Sequence, residues 1–338
     1  MASTRVRRLV LAAGLAIGVA VAVATFAVGA CRRGGAPGDP LRLGYFPNIT
    51  HAQALVGVDD GTFARALGGK LVTRVFNAGP AAMEALLAGD LDATYVGPGP
   101  AAIAYLRTHG QELRVVAGAA SGGAVLVVRD ARTPADLAGR RVATPQLGNT
   151  QDVALRTWLR AHGLAIGDRA GQVNVTPLSN PDILSLFARG ELAGAWVPEP
   201  WGARLVAEGG GRILVDERTL WPGGRFPTTV LAVSRRALAE RRPEIDALLR
   251  AHVELTARYT ARRDAFLAAV NAAYGKLGGK PLPPAVLADA FSRLELLSDP
   301  LAAQLADQAR HAQALGFAPP GEVSGMVDPR PLQELARR

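Results

Sequence analysis

The stretch Leu86–Pro100 reads L-L-A-G-D-L-D-A-T-Y-V-G-P-G-P, and 101 positions further on Phe187–Trp201 reads F-A-R-G-E-L-A-G-A-W-V-P-E-P-W. Gly89 meets Gly190, Asp90 meets Glu191, Leu91 meets Leu192, Tyr95 meets Trp196 and Val96 meets Val197. Each copy predicts a helix end, a glycine stop, a short strand and a proline-stiffened turn. The same offset matches Gly79-Pro80 with Asn180-Pro181, both helix starts with proline just inside. It also matches Asn48 with Asn149, and Leu43 with Thr144, at the ends of expected strands. Strand, turn and helix-start signals coincide, so the chain carries two tandem βαβαβ units of about equal length.

Working outward, the first unit predicts strands at Leu41–Tyr45, Leu71–Phe76 and Ala93–Val96, with helices at His51–Asp59, Thr62–Leu67, Pro80–Ala88 and Pro100–Thr108. Leu113–Ala117 and the apolar run Ala124–Val128 read as further strands. The second unit predicts strands at Arg141–Ala143, Val173–Pro177 and Ala193–Val197, around helices Gln151–His162 and Pro181–Ala188. Gly211–Val215 and Phe226–Val233 read as strands. Arg235–Glu240, Pro243–Tyr274 and Pro284–Leu315 read as helices. Alternation of this kind implies α/β architecture: two doubly wound, mostly parallel sheets covered on both faces. Ala124–Arg129 leaves the first unit and Phe226–Val233 returns to it, which makes two lobes joined by a two-crossing hinge with a ligand cleft between them. The expected divisions are a first lobe of residues 41–127 plus 228–317, a second lobe of 128–227, and a tail of 318–338.

Half of the 338 residues are apolar and a fifth are charged, as in a folded protein. The net charge is +9; Arg5, Arg7 and Arg8 supply three of those charges, and residues 1–30 hold no acid, so the remainder carries +6. No block of basic residues interleaved with aromatics occurs, which sets nucleic acid aside as a partner. The one cysteine, Cys31, excludes an internal disulfide and Cys-x-x-Cys chemistry. Its position is informative. A basic start, the apolar run Leu9–Phe26, and Val28-Gly29-Ala30 directly before Cys31 have the form of a bacterial lipoprotein signal, with Cys31 lipidated. The plain alternative is an uncleaved anchor, since about 18 apolar residues just span a bilayer. Either way the globular part is exported on a tether, with residues 31–40 as linker and 1–30 as signal.

Ligands of open α/β sheets sit beyond the carboxyl ends of the strands. Those ends are Pro47–His51 and Gly97–Pro100 in the first lobe, Gly148–Gln151 and Pro198–Trp201 in the second. The candidate ligand residues are therefore Tyr45, Asn48, Thr50, His51, Gly97 and Pro98, then Gly148, Asn149, Thr150, Glu199 and Trp201, with Thr228 on the returning strand. Gly148-Asn149-Thr150 opens a helix whose free N–H groups suit an anion; the plain alternative is that Asn149 and Thr150 only cap that helix. Alternation points Trp196 into a core and leaves Trp201, beyond the proline, exposed. Glu199 either reads an amine on a zwitterionic ligand or pairs locally. Tyr45 and Phe46 would wall the opposite side.

Catalysis has little footing. Gly97–Ala102 fits G-x-G-x-x-A, but the acid expected about 20 residues on is absent. Ser121 has no G-x-S-x-G frame. The five histidines are scattered without metal spacing, so no metal and no cofactor is implied.

Three segments resemble a known family: L-G-Y-F-P-N-I-T-H-A-Q-A at Leu43–Ala54, T-P-Q-L-G-N-T-Q-D at Thr144–Asp152, and the glycine–acid–leucine motif before W-V-P-E-P-W. They are similar to the substrate-binding proteins of ABC importers, in the nitrate/taurine/aliphatic-sulfonate class, over residues 41–317. The resemblance implies the type II periplasmic-binding fold and a hinged, monomeric capture protein. It further implies that a small anionic or zwitterionic solute is delivered to a membrane permease. It places the turns at Asn48, Gly97, Asn149 and Glu199 among ligand-contact loops. Enzymes that make pyrimidine or menaquinone precursors share this look and use a cleft histidine, here His51; a sensory lipoprotein is the third reading.

Overall fold

The computed structural model describes residues 38–278 and 280–337; the signal, Cys31 and most of the linker lie outside the described residues. The first unit runs β1 (Leu41–Tyr45), α1 (Ala52–Asp59), α2 (Thr62–Ala66), β2 (Leu71–Val75), α3 (Gly79–Leu87), β3 (Ala93–Val96), α4 (Pro98–Arg107) and β4 (Leu113–Gly122). The second runs β5 (Ala124–Val128), β6 (Arg141–Thr144), α5 (Thr150–Ala161), β7 (Asn174–Pro177), α6 (Asn180–Ala188), β8 (Gly194–Pro198), α7 (Trp201–Ala207) and β9 (Arg212–Asp216). The chain returns through β10 (Pro227–Ser234), α8 (Arg235–Glu240), α9 (Arg242–Ala261), α10 (Arg263–Gly278), α11 (Pro284–Phe291), β11 (Leu294–Leu296), α12 (Ala302–Ala314) and α13 (Arg330–Ala336).

The two sheets repeat one plan. The first has the order β11-β4-β10-β3-β1-β2 and the second β7-β6-β8-β5-β9. In each, three strands of one unit are parallel: β2-β1-β3 and β7-β6-β8. A strand arriving from the other lobe then lies antiparallel beside the third, β10 on β3 and β5 on β8. Both sheets are thus mixed, a parallel triplet extended by antiparallel strands. The outward crossing is at Gly122-Gly123, both with positive φ (72° and 74°) that glycine tolerates. Ala124–Val128, read from sequence as the crossing, is already β5 of the second sheet. Periodicity identifies a strand without identifying its partner.

Alternation along the strands builds a core on each face. In β3, Ala93 and Tyr95 join one cluster with α1 and α9, and Val96 joins the other with α3 and α4. In β8, Trp196 packs with Trp158 of α5, while Ala195 and Val197 pack with Phe187 of α6. Trp196 is fully buried, as its alternation predicts.

The C-terminal part departs from the sequence reading in three places. The expected helix Pro243–Tyr274 breaks at Arg262, where the backbone leaves the helical region (φ −140°, ψ 57°). The expected helix Pro284–Leu315 contains β11, which adds Leu294 and Leu296, buried, and Glu295, exposed, to the edge of β4. Such a strand is too short to show a period, and Gly118 of β4 admits the chain beyond it: a Cβ there would meet the Asp299 carbonyl. The tail is tied down too. Met326 is fully buried, and Val115 exchanges backbone hydrogen bonds with Met326 and Asp328 at 2.9 Å.

Candidate functional site

The carboxyl ends of β1, β2 and β3 face those of β6, β7 and β8 across a small cavity of about 20 Å³. Helices α3, α4, α5 and α6 each begin directly after one of these strands. Their N-termini therefore converge on the cavity: Gly79, Gly97, Thr150 and Asn180 all line it. Each N-terminus carries roughly half a positive charge from aligned peptide dipoles. The lining side chains are Asn48, Thr50, His51, Asn77, Asn149, Thr150, Gln151, Asn180 and Thr228, with Phe46, Pro100, Pro145 and Pro198, and none of these is charged. Such helix ends favour an anion, and among the described residues no lining side chain carries a fixed charge.

On the second-lobe side, Asp152 organises the turn. Its buried carboxylate accepts from Thr144 Oγ1 at 2.9 Å, Gly148 N at 2.9 Å and Arg156 Nε at 2.9 Å. Gly148 has φ 72° and its N–H is committed to Asp152, so it shapes the turn and does not line the cavity. Asn149 caps its own helix: Oδ1 accepts from Asp152 N at 2.8 Å. Its amide group donates to Gln151 Oε1 at 3.2 Å. These bonds leave the Thr150 and Gln151 N–H groups as the open donors of α5.

On the first-lobe side, Pro98 and Pro100 strip α4 of two N–H donors, and Gly99 N donates to Thr150 Oγ1 at 3.2 Å across the cleft. Pro98 itself stands outside the cavity wall. Trp201 is buried, 6 % exposed, and its indole donates to Asn48 Oδ1 at 2.9 Å. This corrects the expected exposed position: the ring packs in the second-lobe core and stands outside the cavity wall. An indole only donates, so it fixes the Asn48 amide and leaves the Nδ2 protons as that group's remaining donors. Tyr45 faces the other way, into the first core with α1 and α9, and of the expected pair Phe46 alone walls the cavity. Thr228 lines the cavity and its hydroxyl donates to the Gly122 carbonyl, linking the returning strand to the outward crossing.

Glu199 stands apart from the cavity wall. It is fully buried, accepts from Arg293 Nε at 2.7 Å and from Ala203 N at 2.9 Å, and so joins the second lobe to the first. Burial pushes its carboxyl up, opposed by the Arg293 guanidinium and the Ala203 N–H. Arg293 also grips Asp289. Of the two readings of Glu199, pairing is the one the geometry carries.

His51 lines the cavity, buried against Phe46 with ring centroids 4.4 Å apart. Burial lowers its pKa to about 3, so the ring is neutral at physiological pH, and its Nδ1 has no partner among the described residues. Sequence reasoning omitted Asn77, Gln151 and Asn180 from the wall. Asn180 is 6 % exposed and its Oδ1 is likewise unpartnered among the described residues. The signal was present: the strand-end rule applies to β2 and β7 as it does to β3 and β8.

Comparison with known proteins agrees with this architecture. A taurine-binding periplasmic protein of Escherichia coli is 30% identical over 219 residues, 63% of this chain and 65% of that protein. A relative from Brucella abortus is 25% identical over 61% of this chain and 62% of its own length. The chain thus matches just under two thirds of the length of these relatives. Among solved structures, the alkanesulfonate-binding protein of Xanthomonas axonopodis superposes with TM-score 0.66 at 23% identity, covering 82% of this chain and 93% of that one. The nitrate-binding protein of Synechocystis gives 0.71 at 13% identity, covering 90% of each. These show the two-lobed fold of periplasmic binding proteins. The NMT1-like family model matches residues 34–273, from the entry of β1 to α10, and with the repeated sheets and the cleft between them it shows that the chain belongs to the NMT1-like family.

Proposed function

We propose that this protein is the extracytoplasmic solute-binding component of an ABC importer and captures a small anion, of the sulfonate or nitrate kind, between its lobes. One observation carries the reading: four helix N-termini converge on a polar cavity whose wall, among the described residues, holds no charged side chain. Open N–H groups at Thr150 and Gln151, with the amides of Asn48, Asn77 and Asn180, supply donors to anionic oxygens. Hydrogen bonds to a charged group in such a site contribute on the order of 1.5–3 kcal/mol each. Asn48–Trp201 and Glu199–Arg293 hold the lobes together over the ligand, so binding shifts the open–closed equilibrium.

With Glu199 engaged by Arg293, no carboxylate is left in the wall to read an ammonium. The anion end of the ligand, not an amine, is therefore what the site selects. A neutral His51 with no acid beside it suits ligand contact and gives no support to a reaction in the cleft, so we read the protein as a non-enzyme. The partner is a membrane permease, the acting form is a monomer, and Cys31 carries the lipid anchor that keeps it at the membrane; Cys31→Ser should release the protein in soluble form.

A thermal-shift series with nitrate, methanesulfonate, sulfate, taurine and tetramethylammonium tests the reading. Methanesulfonate or nitrate should raise the melting temperature by mass action, and tetramethylammonium should not. Asn180→Ala and Thr150→Ala should each reduce the shift. A series in which no anion moves the transition removes the reading.

A further inference from the structure

A second, larger cavity, of about 250 Å³, lies against the first. Val153, Ala154 and Trp158 of α5, Leu220 and Trp221 of the segment leading to β10, and Gln308 of α12 form its walls. It too lies between the lobes. Thr150 lines both cavities. The partition between them is thin: Thr150 Oγ1 accepts from Gly99 N at 3.2 Å, and a Cβ on Gly97 would stand 2.3 Å from the same oxygen. Threonine and glycines belong to opposite lobes, so the partition parts whenever the lobes part.

The chemistry of the second cavity differs from that of the first. Its surface is largely apolar and aromatic, and Leu220 at its rim is 47 % exposed. Trp221 lines the cavity, stacked on Phe226 at 5.5 Å with His311 at 6.0 Å. Among the polar groups at its wall, which include the Thr157 hydroxyl and the His162 and His311 rings, Glu217 and Gln308 present oxygens that accept. Glu217 is buried and takes the Trp196 indole N–H at 2.8 Å. Gln308, 4 % exposed, donates Nε2 to the Pro227 carbonyl at 3.0 Å, and its Oε1 has no partner among the described residues. Thr157 Oγ1 is unpartnered in the same way. Buried polar atoms without partners are uncommon and mark a place where a hydrogen-bonding group is missing. An inorganic anion gains nothing from indoles and acceptors. A ring carrying an N–H or O–H gains from both.

We infer that the second cavity receives the organic group of a sulfonate whose anionic end occupies the first, the group being ring-sized, apolar and equipped with a hydrogen-bond donor. The ligand bridges the parted Thr150–Gly99 contact, its sulfonate among the helix N-termini and its ring between Trp158 and Trp221. The inference rests on the anion reading above and names the class of anion.

Calorimetry on the full chain tests it with nitrate, methanesulfonate, benzenesulfonate and 4-aminobenzenesulfonate. Burial of a ring predicts that the aryl sulfonates bind about 10-fold or more tighter than methanesulfonate. Ala154→Phe, which fills the cavity, should abolish that preference and leave methanesulfonate affinity near wild type, which also shows that the variant folds. Leu220→Asp, at the exposed rim, should reduce the preference in the same sense. Gln308→Leu should weaken 4-aminobenzenesulfonate more than benzenesulfonate. Equal affinity for methyl and aryl sulfonates, or an aryl preference untouched by Ala154→Phe and Leu220→Asp, overturns the inference while the anion reading stands. Binding of none of the four removes the anion reading, and this inference with it.

Discussion

The turns Gly97–Pro100 and Pro198–Trp201 occupy equivalent places in the two lobes and have diverged in what they do. The first is stripped of chemistry: two prolines without N–H groups and two glycines whose missing side chains let Thr150 of the other lobe approach. The second is rich in chemistry, but its reactive groups are directed at the protein itself. Glu199 grips Arg293 and Trp201 grips Asn48, both across the cleft. The lobes therefore meet through the repeat's conspicuous residues, while the ligand meets helix ends and amides. Selectivity then follows from what the wall lacks, a fixed charge, as much as from what it holds.

The largest effect should come from breaking the second turn's brace. Arg293→Ala leaves the Glu199 carboxylate buried and unpaired, and denaturant unfolding should show a loss of about 3–5 kcal/mol. Glu199→Gln with Arg293→Met should recover most of it. Recovery would show that the pair serves closure, while a double variant with intact folding and lost anion binding would return Glu199 to the site.

Next in size is Glu217, whose pKa burial raises to about 7 against the pull of the Trp196 and Trp221 indoles. The unfolded chain releases this proton near the ordinary value of 4.5, while the native state keeps it to about 7. Its stability contribution is thus present below 4.5 and lost as pH rises through 7. Glu217→Gln should lack that loss and exceed wild type at pH 8 by up to about 3 kcal/mol, with no gain at pH 4. His51 and His252, lowered by burial to about 3 and about 4, act oppositely and make wild type less stable as pH falls below 6.5. Melting temperatures across pH 4–8 check both signs.

Smaller again is Gly97→Ala. Its Cβ would stand 2.3 Å from Thr150 Oγ1, so closure should cost about 1–3 kcal/mol, read as weaker anion binding with little change in the apo protein's stability. Adding Thr150→Ala should restore part of that loss. The smallest effect is Trp201→Phe, which removes one cross-lobe hydrogen bond, about 1 kcal/mol or several-fold in affinity.

Much of this plan was legible in the sequence because it is written twice. The 101-residue echo located β3 and β8, the helix starts after them, and the cleft between. The residues that failed are those whose role depends on a partner far along the chain. Trp201 was read as exposed because nothing local reveals Asn48, 153 positions away. Glu199 was left undecided because Arg293 lies 94 positions on, beside a three-residue strand too short to register as a period. Of Tyr45 and Phe46, both expected in the wall, strand alternation turns Tyr45 into the core and leaves Phe46 at the cavity. Asn180, by contrast, was marked by the repeat and overlooked.

The central claim is that the cleft selects the anion and not an amine. Calorimetric titration of the wild-type chain with methanesulfonate and with taurine tests it most directly. A wall without carboxylates predicts that methanesulfonate binds within about 10-fold of taurine, the Asn180 side-chain Oδ1 giving taurine no more than a neutral hydrogen bond's advantage. Taurine binding far tighter than that, with methanesulfonate undetectable, would contradict the account.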